Sequence, residues 1–192
     1  MGNTINIESE LFTNVRGQKF ALDTNVLYWM FYDKCTYFSS DTRRRKYQNA
    51  VTKLKMHNDI YASPLCLYEL FAIIEKNEYK IYAAKHRKDN TFKLKDYRDI
   101  ESERTAVSSI LDITYKSIKQ FTKIVTQTID KNAVHDLAAS FEQHKLDVFD
   151  KSLVDFCNNN GINNIVTDDK DYRTLKDEMN IYTANQHYFV KK

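Results

Sequence analysis

Short apolar runs, each followed at once by polar residues, recur along the chain and predict the strands of a buried sheet. The four runs are KFAL, IYA, NIV and NIYT, which begin at Lys19, Ile60, Asn164 and Asn180. Runs of this length with abrupt ends are typical of buried strands. Helical patterns fill the intervals, so we expect an α/β fold with a central parallel sheet of about four to five strands flanked by helices.

Two of the helices are marked by their end residues. Ser63-Pro64 predicts a helix start, because serine caps exposed amides and proline suits the first helical position. Asp147 likewise predicts the cap of a helix, VFDKSLVDFCNNN, that stops at Gly161, since glycine is favoured just past a helix end. The segment from about 76 to 144 is charged and helical in pattern. It predicts a helical insertion within a single domain that covers 1–192.

Composition narrows the class of protein without naming a partner. The 192 residues are 42% hydrophobic and 29% charged, which suits one folded domain. We expect no secretory signal and no membrane span. Three cysteines, odd in number and far apart, favour a reducing, cytoplasmic setting. The net charge of +3 leaves a polyanionic partner open, because local patches matter more than the sum.

One acid directly follows a predicted strand. Asp23 comes immediately after KFAL, and in open parallel sheets ligands bind beyond the carboxyl ends of the strands. The alternative is that Asp23 caps a helix that begins at Thr24. From this stretch alone, the two interpretations are about equally favoured.

A second acid lies on the apolar face of a predicted helix. Glu69 shares a helical stripe with Leu65 and Ile73, four residues away on either side. Burial of a carboxylate there costs several kcal/mol unless a cation meets it. The alternative is a chance charge at the edge of the core stripe, or one that is paired with a lysine or arginine.

The helix after Asp147 repeats this pattern. Asp150, Val154 and Cys157 fall on one side at about 100° per residue, whereas Asp155 joins a face that we expect to be solvated. We therefore interpret Asp147 as a cap, Asp155 as a surface residue and Asp150 as the inward-facing acid.

The strand NIV runs into VTDDKDYR, which contains three aspartates. Asp168, Asp169 and Asp171 cannot all face one site, so some of them are turn residues. Acids gathered at one edge of a sheet raise each other's pKa unless a cation lies among them. A hard divalent ion with oxygen ligands, Mg²⁺ or Mn²⁺, is the simplest such cation.

In order and context, these stretches resemble the four motifs of PIN-domain ribonucleases, the family that includes VapC-type toxins. ALDTNVL is similar to the first motif, with Asp23 as a metal ligand and Asn25 as its polar support. SPLCLYEL is similar to the second motif, whose acid is Glu69.

The last two motifs also have counterparts. The third resembles an aspartate followed eleven positions later by a glycine, as in Asp150 and Gly161. The fourth resembles Thr-x-Asp-x-Asp-aromatic, which begins here at Thr167. Asp169 is the favoured fourth acid, and Asp171 is the second choice.

The resemblance implies a PIN-like fold and hydrolysis of RNA phosphodiester bonds at one or two Mg²⁺ or Mn²⁺ ions, leaving a 5′-phosphate and a 3′-hydroxyl. It implies that the catalytic and metal-binding residues are Asp23, Glu69, Asp150 and Asp169, supported by Asn25, Thr167 and Asp171. A toxin of this family would have an antitoxin protein as partner and would form homodimers.

Two basic runs are candidate contacts for RNA phosphates. Their cations are Arg43, Arg44, Arg45, Lys46, Lys85, Arg87 and Lys88. The alternative is that both runs are solvated helix faces or loops, as charge runs usually are.

Two other functions are weighed against the nuclease. The first is a non-catalytic PIN-like module that binds RNA or protein, although such domains typically lose the acids that are present here. The second is a haloacid-dehalogenase-type phosphatase, but Asn25 stands where that family has its second aspartate.

Overall fold

A six-stranded sheet forms the centre of the fold. The computed structural model describes residues 2–9, 12, 14–140, 145–175 and 177–189. The strands are β1 (Thr4–Asn6), β2 (Lys19–Leu22), β3 (Asp59–Ala62), β4 (Lys123–Ile124), β5 (Asn164–Val166) and β6 (Asn180–Thr183). Their order is β1-β6-β5-β2-β3-β4, and every pair is parallel.

The helices fill the intervals between the strands. They are α1 (Thr24–Phe31), α2 (Asp41–Lys55), α3 (Pro64–Lys85), α4 (Leu94–Arg98), α5 (Glu101–Phe121), α6 (Lys131–Ser140) and α7 (Val148–Asn159). Short 3₁₀ helices span Asp33–Tyr37, Lys170–Leu175 and Gln186–Tyr188. The α/β class with a parallel sheet flanked by helices is confirmed, and the architecture is consistent with a PIN-like fold.

All four predicted strands are present, but the expected number of four to five was slightly too low. The two strands that sequence patterning missed are β1 and β4, with three and two residues, at the two edges of the sheet. Each of them contains a single apolar residue, an isoleucine, and is at most half-buried, so neither contains the apolar run that marks a buried strand in the sequence.

The predicted helix ends are also confirmed. The Ser63 side chain accepts a hydrogen bond from the Leu65 amide at 3.2 Å. Asp147 caps α7 by accepting from the amides of Phe149 and Asp150 at 2.8 and 2.9 Å. Gly161 lies just past that helix with a φ of +61°, a left-handed conformation that favours glycine.

Helix α3 connects the elements around the site, because it packs against α1, α5 and α7. Beneath them, the β2 residues Phe20, Ala21 and Leu22 are completely buried. The carboxyl end of β2 therefore lies where α1 begins and α3 and α7 approach.

The segment predicted as a helical insertion is mostly helical over the residues that the structure describes. It contains the second half of α3, then α4, α5 and α6, with β4 between the last two. Residues 141–144 of the predicted insertion lie outside the described residues. Among the described helices, none combines the length and the apolar character needed to span a membrane.

Candidate active site

Asp23 lies where β2 ends and α1 begins. Its carboxylate caps α1, accepting from the Thr24 amide at 2.6 Å through Oδ1, and the residue is only 5% exposed. Both interpretations of this aspartate therefore hold, since it is a helix cap and also stands at the carboxyl edge of the sheet.

Two further side chains hold the other oxygen of Asp23. The side-chain amide of Asn25 donates to Oδ2 at 2.5 Å, and the Thr167 hydroxyl donates to the same oxygen at 2.6 Å. A carboxylate has about four lone-pair positions. Three protein donors thus fix the orientation of Asp23 and leave roughly one position, on Oδ1, for another ligand.

The electrostatics of Asp23 oppose its ionisation. Burial raises the pKa of Asp23 to about 8, and the charges of Asp150 and Glu69 add to the rise. The hydrogen bonds from Thr167 and Thr24 offset part of it. A nearby cation would reverse this balance, because it favours the charged carboxylate.

Glu69 faces Asp23 from α3 and is half-buried. The Thr24 hydroxyl donates to Glu69 Oε2 at 2.5 Å, and no described lysine, arginine or histidine pairs with the carboxylate. Pairing with a basic residue, the alternative for Glu69, is therefore not observed. Burial raises the pKa of Glu69, the Asp147 charge raises it further, and the Thr24 hydrogen bond lowers it in part.

Helix α7 contributes Asp150, as predicted from its apolar face. Burial raises the pKa of Asp150 to about 7, and the charges of Asp147 and Asp169 add to this. The buried Tyr172 hydroxyl lies close enough to Asp150 to offset part of the rise. That hydroxyl has no well-aligned hydrogen-bond partner among the described residues.

A fifth carboxylate was missed by sequence analysis as a site residue. Asp147 caps α7, as expected, but it also lines the same cleft as Asp150. The signal was available, because residues three apart on a helix lie on one face. Asp155 does not line this cleft and instead pairs with Lys151.

The three aspartates after β5 have different roles. Asp169 lines the cleft, and its amide donates to Thr167 Oγ1 at 2.9 Å. Asp171 does not line the cleft, but its amide donates to Asp169 Oδ1 at 2.9 Å. Asp168 accepts from the Tyr47 hydroxyl at 2.7 Å and pairs with Arg43 at 3.2 Å. Only Asp169 is therefore turned into the site.

These side chains border one open cleft of about 530 Å³. Its acidic lining is Asp23, Glu69, Asp147, Asp150 and Asp169; the rest is Thr24, Asn25, Tyr28, Trp29, Phe38, Ser39, Ser40, Arg43 and Ile73. All four acids predicted from the sequence thus come together. None of the five acids forms an ion pair with a cation of the described residues.

Of the predicted phosphate contacts, Arg43 alone lines this cleft. Arg44 donates to the Trp29 carbonyl at 3.3 Å, Arg45 pairs with Asp41, and Lys46 pairs with Glu8. The second group, Lys85, Arg87 and Lys88, lies at the far end of α3. At about 1.5 Å per residue, that end is about 24 Å along the helix from Glu69.

The donor set suits a hard divalent ion. Within the described ranges, no three His, Cys, Asp or Glu side chains are grouped tightly enough to hold a metal ion between them. Mg²⁺ does not require such a group, since it keeps several waters and binds through one or two carboxylates. The free position on Asp23 Oδ1 and the neighbouring carboxylate of Asp150 fit that demand.

Neither protein-family models nor curated protein sequences match the chain significantly. The chemistry of the cleft therefore rests on its own geometry.

Proposed function

We propose that the chain is a divalent-metal-dependent endoribonuclease that hydrolyses RNA phosphodiester bonds in this cleft. The observation that carries the proposal is the convergence of five carboxylates on one cleft without a described cation to pair with them. Gathered carboxylates raise each other's pKa and destabilise the fold. Their retention is explained by a ligand that is itself a cation, as in the PIN-domain ribonucleases that the motifs resemble.

Asp23 and Asp150 would bind the ion directly, and Glu69 and Asp169 would bind it through the waters that it keeps. When bound, a divalent ion activates water as a nucleophile and offsets negative charge on the attacking and leaving oxygens. We propose Mg²⁺ or Mn²⁺ because the anionic side chains that line the cleft are all carboxylates, which offer oxygen ligands.

The surrounding hydroxyls and amides orient the carboxylates. Thr167 donates to Asp23 and accepts from the Asp169 amide, so one buried hydroxyl sets the relative position of two acids. Thr24 does the same for Asp23 and Glu69, through its amide and its hydroxyl. Such supporting residues typically change metal affinity or activity about 10–100-fold when they are replaced.

The experiment that tests the proposal pairs two substitutions on the same helix. End-labelled total RNA and single-stranded DNA are incubated with the parent chain in Mn²⁺ or in EDTA. Asp150→Asn removes a proposed ligand, and Asp155→Asn is the matched control, since Asp155 pairs with Lys151 and does not line the cleft. We expect cleavage of RNA by the parent and by Asp155→Asn in Mn²⁺, and none by Asp150→Asn or in EDTA.

The alternatives have distinct outcomes in the same assay. Equal cleavage by Asp150→Asn and the parent would mean a contaminating nuclease. Binding of RNA without cleavage under any condition would favour a PIN-like binding module instead. Cleavage of single-stranded DNA but not of RNA would support the proposed metal centre and show that the substrate is DNA.

A toxin role within this class has its own test. Expression of a toxin arrests growth, whereas expression of the Asp150→Asn variant does not. An antitoxin would co-purify with the chain as a small second protein, and homodimers would appear in the measured mass. Normal growth on expression of the active parent would contradict the toxin role and leave the nuclease in place.

A further inference from the structure

Phe38 presents an aromatic ring to water in the cleft that the five acids line. The residue is 43% exposed and lines the cleft together with Ile73 and the largely buried Trp29. Its backbone is fixed, because its amide donates to the Cys35 carbonyl at 3.0 Å and the next residue, Ser39, donates to the same carbonyl at 2.8 Å. An exposed ring on a hydrogen-bonded backbone is a surface on which a flat ligand can stack.

Cations accompany this ring. The Lys80 amino group lies 5.8 Å from the centre of the Phe38 ring. Arg43 also lines the cleft, and its side chain is 57% exposed despite the ion pair with Asp168. One cation therefore lies beside the ring, and a second lines the same cleft as the ring and the acids.

Helix α3 sets the direction from the acids to the ring. Glu69 contributes to the acidic lining, Ile73 lies one turn further, and Lys80 lies about three turns, or about 16 Å, beyond Glu69. An anionic ligand is repelled by the acids themselves unless a metal is bound. It is attracted by Lys80 beside the ring and by Arg43 in the cleft lining, so a polyanion has a favourable approach over Phe38.

A nucleotide chain has both features that this side of the cleft would recognise. Bases stack on aromatic rings with little dependence on sequence, and phosphates pair with lysine and arginine. A base inside a duplex is already stacked and cannot cover such a ring without being extruded.

We infer that Phe38 is the base-stacking residue of the cleft, with Lys80 and Arg43 as contacts for the flanking phosphates of a single RNA strand. The inference rests on the proposed nuclease function and adds a residue that determines how the strand lies. Phe38 stacks on an unpaired base of the bound strand, and any of the four bases can occupy this position.

Binding is measured without cleavage, in the Asp150→Asn background and with Mg²⁺ present. The probe is a ten-nucleotide RNA that carries the fluorescent base 2-aminopurine, whose emission falls when it stacks, and the competitor is a blunt duplex of the same sequence. Phe38→Trp keeps a ring, Phe38→Leu keeps apolar bulk, and Phe38→Ala removes both. Tyr37→Ala is the matched control, because Tyr37 is the adjacent aromatic residue, is 73% exposed and does not line the cleft.

We expect Phe38→Ala and Phe38→Leu to weaken binding of the single strand about 5- to 150-fold and to abolish the quenching of 2-aminopurine. Phe38→Trp and Tyr37→Ala should bind like their Asp150→Asn parent. Thermal unfolding checks that each variant is folded. We expect little change in the melting temperature, because Phe38 is 43% exposed.

Three results would overturn the inference. They are unchanged binding by Phe38→Ala, full binding and quenching by Phe38→Leu, or an equal loss in Tyr37→Ala. If the unmodified protein still cleaves RNA in a metal-dependent way, the nuclease survives and Phe38 alone loses its role. If the protein neither binds nor cleaves RNA, and the ring instead binds a protein, the proposed function fails together with the inference.

Discussion

Helix α3 carries two inward-facing glutamates whose surroundings differ. Glu78 is 7% exposed, and it accepts hydrogen bonds from the Lys34 amino group at 2.7 Å and the Tyr32 hydroxyl at 2.8 Å. Glu69 accepts a hydrogen bond only from the Thr24 hydroxyl among the described residues, and the charge acting on it is another acid, Asp147.

The difference separates a structural carboxylate from one that is available to a ligand. A cation next to a buried acid offsets the cost of its desolvation. Lys34 is that cation at Glu78, whereas no described cation pairs with Glu69, although both glutamates lie on the same helix. A third glutamate of α3, Glu75, forms a two-pronged pair with Arg98 that lowers the pKa of Glu75.

The largest expected effect comes from exchanging the two glutamates for glutamine. Glu69→Gln should reduce metal-dependent cleavage by more than about 100-fold, since even residues that only support a ligand change activity about 10–100-fold. Its stability should be unchanged or higher, because it removes an unpaired, half-buried charge. Glu78→Gln should keep activity and lose about 1–3 kcal/mol of unfolding free energy, as it leaves Lys34 without its partner.

Cleavage rates and urea unfolding of the two variants measure both effects. The comparison fails if the results are reversed, with Glu69→Gln unstable but active and Glu78→Gln stable but inactive.

Thr167→Val tests how strongly the cleft depends on one buried hydroxyl. Thr167 is completely buried and connects Asp23 to the Asp169 amide. We expect a loss of about 10–100-fold in metal affinity or activity, measured by titrating cleavage with Mn²⁺. Recovery of activity at high Mn²⁺ would locate the defect in metal binding. A variant with the parent's Mn²⁺ dependence would show that Thr167 does not position the acids.

The raised pKa values predict how pH affects the metal-free protein. The pKa of Asp23 is 3.8 in the unfolded chain, and burial raises it to about 8 in the folded protein. Between these values the folded state binds more protons, so the unfolding free energy falls as pH rises, by at most about 6 kcal/mol. Asp150 adds to the fall between 3.8 and about 7.

Thermal unfolding in EDTA and in Mn²⁺ from pH 5 to 8 measures this effect. Mn²⁺ should stabilise the protein more at pH 8 than at pH 5, because ligands bind metal in their deprotonated form. Asp150→Asn should flatten the pH dependence in EDTA. A metal-free stability that rises from pH 5 to 8 would contradict the assignment of these acids as unpaired.

The smallest effect is expected at the exposed pair of α3. Arg98→Ala removes the partner of Glu75, but surface ion pairs contribute little. We expect unchanged cleavage and a melting temperature within about 2 °C of the parent. A larger fall in the melting temperature would mean that the contact between α3 and α4 stabilises the protein more than a surface ion pair does.

The sequence by itself determined the local features of the protein. KFAL, IYA, NIV and NIYT predicted the four central strands, since buried strands are continuous apolar runs. Serine, aspartate and glycine predicted the helix ends, because capping depends on residues next to each other in the chain. The inward direction of Asp150 followed from helical spacing, with Val154 and Cys157 on the same buried face.

Tertiary structure decided what depends on distant parts of the chain. The edge strands β1 and β4 lack an apolar run, so only their pairing with β6 and β3 identifies them as strands. The pairing of Glu78 with Lys34, and the absence of a described cation beside Glu69, follow from how α1 and the 3₁₀ helix Asp33–Tyr37 lie against α3. Whether a charge is neutralised depends on which side chains meet in space, and sequence spacing alone does not fix that.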